Sequence, residues 1–415
     1  MANRQTANME AYVVMNSAPL LAVDPALPQR DLLLDETLMT EYLSRLVKYD
    51  IEDCERLRTK YRVGTSLRVL YQLRGSGRSY RIAARAFPGT RRVANQSTSQ
   101  TELNAPELNA TFWIFPHDRK IKNLAVLDNI PDELRGIEGR TWTKSRIVAH
   151  APEKSVTAQC LDDNEQIIAF AKIYAGDEGR QIFETYRALT GKVQIPRAIA
   201  YSETHHLLLL EPADGVPLST VAESENAFFR LGNGLKSLHR IKPPSSLPRA
   251  TRLTPEAVAR ASATISQARP DIAALVQHLS NKLIAQYTHS KPVFLHGDVH
   301  PKNIFLNETT LFLLDLDQAA TGAATADLGS VIAGLYCDAC TGSRTWHEAS
   351  VLKHALLDGY GASPHSDELR WHIAAALLQE RALRSVTRIR TATLQKLPEI
   401  LRIAEKVLNG GVIEN

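Results

Sequence analysis

His296-Gly297-Asp298-Val299-His300-Pro301-Lys302-Asn303, followed by Leu311-Phe312-Leu313-Leu314-Asp315, decides the reading of this chain. Pro292 to Leu295 is a short apolar strand, the octet is a polar loop, and the second run is another apolar strand that ends on a carboxylate. Phosphoryl transfer needs a carboxylate for the incoming hydroxyl and oxygen ligands for Mg²⁺ on the phosphates. Asp298 suits the first task, and Asn303 and Asp315 suit the second.

His-x-Asp followed by four residues and Asn is the order of a kinase catalytic loop. Together with Leu314-Asp315-Leu316-Asp317 and Ala326-Asp327-Leu328-Gly329, it resembles the signature of the aminoglycoside phosphotransferase/choline kinase family. The motif block spans residues 292 to 335. The resemblance implies an α+β, two-lobed protein-kinase-like fold that phosphorylates small molecules. It also implies ATP as phosphoryl donor and Mg²⁺ as cofactor.

Two other readings are open to the same residues. His296, Asp298 and His300 at i, i+2 and i+4 could be a metal-hydrolase cluster on one strand face. That leaves Asn303 and Asp315 without a task, and no second His/Asp cluster supplies further ligands. The other reading is a buried polar turn with satisfied histidines.

Composition sets looser bounds. The 415 residues are 44% hydrophobic and 23% charged, with net charge +4, an ordinary globular balance that gives no reason to invoke nucleic acid or membrane. Cys54, Cys160, Cys337 and Cys340 are too few for a disulfide framework and suit a reducing, cytoplasmic location. Cys337-Asp-Ala-Cys340 lacks a second ligand pair for zinc, so structural thiols are expected. Neither a signal segment nor a membrane-length apolar run is visible. The oligomeric state is not legible.

Along the chain, residues 1–30 read as a loose lead-in and 31–140 as an extension with a helix (Leu32 to Val47) and a β-hairpin. The hairpin strands are Ser66 to Leu73 and Ser79 to Phe87, with a turn over Arg74 to Gly77. The polar stretch Arg91 to Asn109 reads as a flexible insertion. Residues 141–213 form the kinase N-lobe and 214–415 a helical C-lobe holding the catalytic loop. Helices are expected over Pro255–Tyr287, Leu328–Cys337, Trp346–Tyr360, Ser366–Arg390 and Leu394–Leu408. A weak repeat sets Tyr61–Leu73 and Ile82–Phe87 beside Ala149–Leu161 and Phe170–Tyr174. It suggests that the N-terminal lobe is enlarged by a second hairpin; convergence of two amphipathic hairpins explains it as readily.

Lys172, on the apolar strand Ile167 to Tyr174, precedes a helix carrying Glu184, the order in which kinases pair a strand lysine with a helix carboxylate. Arg85, its counterpart in the first copy, lacks such a helix. The family resemblance of His205 to Gly215 implies a hinge where backbone groups of Glu211, Pro212 and Ala213 meet the adenine edge. It also makes His239, at the end of the helix Phe228 to His239, a structural histidine. The turn Ala149 to Lys154 has no glycine, so a glycine-rich phosphate loop is missing.

Asp298 is the expected catalytic base or hydroxyl orienter, and Asn303 and Asp315 the metal ligands. Supporting roles fall to His296 (bracing the loop), His300, Asp317 (a second metal or solvent) and Asp327, expected to anchor the loop and cap the Leu328 helix. Lys302 is a secondary phosphate candidate. Arg381, Arg384, Arg388 and Arg390 give the late helices a basic face, which disfavours a polycationic acceptor unless it is simply a solvated surface. The expected activity is ATP- and Mg-dependent phosphorylation of a hydroxyl on a sugar, amino sugar or similar metabolite. The alternatives are an aminoglycoside-type antibiotic kinase and a pseudokinase-like nucleotide-binding module.

Overall fold

A computed structural model describes residues 20–47, 50–75, 77–89, 93–94, 101–220, 224–362 and 366–411. Most of the loose lead-in expected over 1–30 falls outside them. Helices α1 (Arg30–Leu34) and α2 (Glu36–Val47) bury Leu33, Met39 and Leu43.

Five antiparallel strands follow: β1 (Asp53–Arg62), β2 (Ser66–Gly75), β3 (Arg78–Ala86), β4 (Glu102–Ala105) and β5 (Ala110–Ile114), in the order β1-β2-β3-β5-β4. The expected hairpin is thus the middle of a sheet. Part of the polar stretch expected to be flexible is β4, while residues 95–100 lie outside the described residues. Its polar side chains are satisfied across the ladder: Thr111 Oγ1 donates to Asn104 Oδ1 at 2.9 Å and Trp113 Nε1 to Glu102 at 3.0 Å. Cross-strand pairing of this kind stabilises a strand that hydropathy alone undervalues.

The second sheet contains β6 (Lys144–Ala151), β7 (Ser155–Leu161), β8 (Ile167–Tyr174), β9 (Ala198–Ser202) and β10 (Leu207–Leu210). Its order, β6-β7-β8-β10-β9, repeats that of the first. The likeness reaches the turns. Arg62 pairs with Ser66 and Ala151 with Ser155 around turns of equal length. Gly64 and Glu153 take the same left-handed conformation, φ 66° and 61°. Their N–H groups donate to Asp24 at 2.9 Å and Asp118 at 3.0 Å. Helix α3 (Glu178–Leu189) joins β8 to β9; the first sheet has no such helix among the described residues.

The helical half holds α4 (Glu225–His239), α5 (Pro255–Ala268), α6 (Ala273–Ala285), α7 (Ala324–Cys340), α8 (Trp346–Tyr360), α9 (Asp367–Ala376), α10 (Leu383–Arg388), α11 (Thr391–Gln395) and α12 (Leu397–Leu408). Ser224, Thr254, Thr345 and Ser366 cap four of these helices by accepting from backbone N–H groups. The long helix expected over Pro255–Tyr287 is broken before Pro270, which cannot continue it. Gly232 and Gly359 let α4 and α8 touch backbone to backbone, where any Cβ would collide.

Buried apolar residues form two clusters. One belongs to the second sheet and its cover (Trp142, Leu124 and Val156 among them); the other joins the first sheet to the helical half. The segment before α1 is anchored there by Ala22 N–H on the Ala268 carbonyl at 2.8 Å, and the first sheet by packing of β1 on α10. The molecule is a two-lobed, protein-kinase-like α+β structure in which an extra sheet spans both lobes. Among the described residues, no helix is long and apolar enough to cross a membrane.

Candidate active site

Short strands β11 (Val293–Leu295), β12 (Ile304–Leu306), β13 (Leu311–Leu313) and β14 (Ala320–Gly322) frame the polar loop. Asp327 is buried and accepts from His296 N at 2.8 Å and Gly297 N at 2.9 Å, so its carboxylate fixes the start of the loop. Burial opposes its charge, but His239 and the Gly297 N–H hold Asp327 below the usual carboxylate range. The expected capping role is corrected: α7 begins at Ala324, so Asp327 lies past its cap position. His239 bridges Asp327 at 3.1 Å and the Tyr360 hydroxyl at 2.9 Å. Gly297 has φ 78°, and a Cβ there would strike the Gln318 carbonyl, so only glycine fits.

His296 is fully buried and its Nε2 meets the Leu314 carbonyl at 2.9 Å, tying the loop to the strand end. Asn303 Nδ2 donates to the Asp298 carbonyl at 3.1 Å, and Leu314 N donates to the Asn303 carbonyl at 2.8 Å. Asn303 and Asp315 are thereby drawn together. Asp315 adopts φ 62°, a left-handed conformation that Asp tolerates better than most residues.

Across the cleft, Lys172 Nζ lies 2.8 Å from Asp315 Oδ1 and 2.7 Å from Asp317 Oδ1. Burial works against its charge, but the two carboxylates outweigh burial and hold Lys172 above the ordinary lysine range. Burial likewise opposes the charge on Asp315, which Lys172 holds below its usual range. The expected partner, Glu184, is elsewhere: it is half exposed on α3 and meets Arg187 at 3.7 Å. No acidic side chain of α3 pairs with Lys172, and Asp317 supplies the second carboxylate. Asp317 is buried rather than solvent-facing and also accepts from the Tyr174 hydroxyl at 3.0 Å and Lys154 Nζ at 3.3 Å. The sequence offered no signal for this, because an i+2 carboxylate after Asp315 is equally compatible with solvent.

Lys154 belongs to the glycine-free turn between β6 and β7. Glu153 in that turn is buried and binds Arg119 at 2.9 Å, Arg68 at 3.4 Å and Arg85. Arg85 therefore faces the turn from the first sheet. The expected hinge residues follow β10, where Glu211 N donates to the Arg197 carbonyl at 2.9 Å and the Glu211 carboxylate meets Arg197 Nε at 2.9 Å.

Asp298 carries contacts that the motif did not announce. Its Oδ1 lies 3.0 Å from Arg384 and 3.4 Å from Arg252, and His300 Nε2 is 3.6 Å from Oδ2. Arg252 also binds Glu380 at 2.8 Å. Burial, followed by the opposing pull of Asp298 and push of Arg381, leaves His300 below the usual imidazole range. A π-helical turn, Leu377–Ala382, carries Glu380 between α9 and α10. Arg384 was legible as part of a basic face; Arg252 sits in an irregular stretch with no periodicity to flag it.

The oxygen donors fit a hard cation. Asn303 Oδ1 accepts no hydrogen bond among the described residues, and Asp315, just past the strand end bonded to the Asn303 backbone, supplies a carboxylate. No group of three or more His, Cys, Asp or Glu side chains there forms a ready-made metal site. The four cysteines are free thiols.

Residues 166–372 match the family model described as "Phosphotransferase enzyme family". Compared with the curated proteins, the chain matches none. Among solved structures, it is similar to spectinomycin phosphotransferase in complex with ADP and spectinomycin, at 15% identity and TM-score 0.47, covering 65% of this chain and 94% of that one. Choline kinase from Cryptosporidium parvum Iowa II aligns at 12% identity and TM-score 0.47, covering 69% and 94%. A putative aminoglycoside phosphotransferase from Ralstonia eutropha JMP134 aligns at 13% and 0.47, covering 67% and 96%.

Proposed function

We propose, for a chain that belongs to the phosphotransferase enzyme family, that it transfers the γ-phosphoryl group of ATP, with Mg²⁺, to a hydroxyl of a small metabolite. The observation that carries this reading is the convergence of Lys172 from β8 with Asp315 and Asp317, next to the loop that holds Asp298 and Asn303. Lys172 and Lys154 would meet phosphate oxygens, and the backbone from Glu211 to Ala213 would meet the adenine edge. Asn303 and Asp315 would hold the metal, which when bound neutralises charge on the phosphates.

Asp298 would orient the acceptor hydroxyl and receive its proton as the oxygen bonds to phosphorus and ADP leaves. In a loose transition state positioning carries most of the rate, and the rigid loop supplies it. Arg252 and Arg384 hold the Asp298 carboxylate in place. The same ion pairs favour one second reading, a nucleotide-binding module whose Asp298 is never released to a substrate.

The test is ATP-dependent phosphorylation of a panel of hydroxylated metabolites with the wild type and with Asp298→Asn. Transfer by the wild type and its loss in the variant supports the enzyme. Mg·ATP binding without transfer to any acceptor favours the module, and no Mg·ATP binding removes both.

A further inference from the structure

The basic face of the late helix meets a second basic face, from the extra sheet. β1 packs against α10, and within electrostatic reach Arg58 meets Arg388 and Arg390 while Lys60 meets Arg388. Arg58 and Arg388 are close enough to repel one another, and Lys60 is faced by Arg388, Arg68, Arg62 and Arg58. The carboxylates in reach are already engaged. Asp298 and Glu380 are shared by Arg252 and Arg384, Asp315 is held by Lys172, and Asp338 faces Arg381, Arg344 and Arg390. Arg58, Lys60 and Arg388 have no ion pair among the described residues, although Arg388 is only partly exposed.

A solvated surface spreads like charges apart. Here they converge from two elements more than three hundred residues apart in sequence, beside the carboxylate expected to orient the acceptor. We infer that the acceptor is itself an anion, a hydroxylated compound bearing a phosphate or carboxylate group, gripped between β1 and α10 by Arg58, Lys60 and Arg388. This rests on the phosphotransferase reading of the site. Arginine forks match the geometry of either oxyanion, and Arg388 lies within electrostatic reach of Asp298. The extra sheet is then part of the acceptor site rather than an ornament. A polycationic acceptor would meet the same positive field and be repelled.

The test is calorimetric binding to the full chain saturated with Mg·ADP, using inorganic phosphate, glucose 6-phosphate, gluconate and glucose as probes. Arg58→Ala and Arg388→Ala, on separate elements, are measured alongside the wild type. The expected result is binding of glucose 6-phosphate or gluconate but not glucose, weakened at least tenfold in both variants while Mg·ADP affinity is kept. Stronger binding of glucose 6-phosphate than gluconate assigns a phosphate, and the reverse a carboxylate. Binding of inorganic phosphate alone, glucose binding as well as the anions, or anion binding unchanged in both variants overturns the proposal. Failure of the wild type to bind Mg·ADP instead overturns the phosphotransferase reading.

Discussion

Lys172 Nζ and Asp315 Oδ1 lie 2.8 Å apart, joining the second strand sheet to the end of the catalytic-loop hairpin across the cleft. The pair brings an ammonium against a carboxylate without any carboxylate from α3. Asp317 completes the arrangement at 2.7 Å.

Nucleotide use is therefore expected to depend on Lys172 and not on Glu184. Lys172→Ala should raise the KM for ATP or lower kcat by about a hundredfold, roughly 3 kcal/mol of transition-state stabilisation. Glu184→Ala should leave both constants within about twofold, as for an exposed helix pair. Steady-state kinetics on the two variants decide it, and an equal loss in both would restore the helix carboxylate.

Asp298→Ala should abolish transfer, by on the order of a hundredfold or more, because positioning of the hydroxyl is lost. Nucleotide affinity should be kept, since the contacts of Asp298 are with Arg252, Arg384 and His300 and not with Lys172. Transfer at the parental rate in the purified variant sinks the assignment.

Asp315→Ala should remove most of the gain in ATP affinity that Mg²⁺ confers, read by calorimetry with and without the metal. The Lys172–Asp315 contribution to stability has defined limits. Asp315 is depressed, so its share is present above the unfolded carboxylate value and is lost as pH falls through the lower folded value. Lys172 is raised, so its share is present below the unfolded lysine value and is lost as pH rises through the higher folded one. Urea unfolding of wild type and Asp315→Ala should therefore show a difference that is flat across neutral pH.

Lys60 gives the opposite sign. The surrounding protein, then Arg388, Arg68, Arg62 and Arg58, brings it down to about 8. It loses its charge as pH rises through that value, so the KM for an anionic acceptor should climb above it. The folded state binds the proton less well than the unfolded chain, so this side chain favours folding more as pH rises from about 8 toward the ordinary lysine value. In Lys60→Met the KM rise should vanish; a wild-type profile in that variant contradicts the assignment.

Glu153 binds arginines from the first sheet and from the link between the sheets. Replacing it by Ala should destabilise the protein by about 2 kcal/mol, less than a fully buried pair because the arginines are partly exposed. Chemical denaturation measures this. Arg85→Ala should loosen the same turn and raise the KM for ATP severalfold, although Arg85 itself faces Glu153; unchanged stability and KM in both variants would show the turn to be independent of the extra sheet.

Local pattern was enough for the polar loop and its flanking strands, the Lys172 strand and most helices. In these the information is carried by spacing within one segment: Asp298 to Asn303, the apolar run ending at Asp315, the helical apolar spacing from Leu32 to Val47. The repeat was visible only faintly, because the two sheets share turn geometry and strand order rather than residues; Gly64 and Glu153 hold one backbone conformation with unlike side chains. Tertiary structure alone decided which charges meet. Lys172 chooses Asp317 over Glu184, Arg252 reaches Asp298 from an irregular link, and Arg58 faces Arg388 across more than three hundred residues. Ion pairing depends on distance and burial, which the packing of separate elements sets, and periodicity along the chain encodes neither.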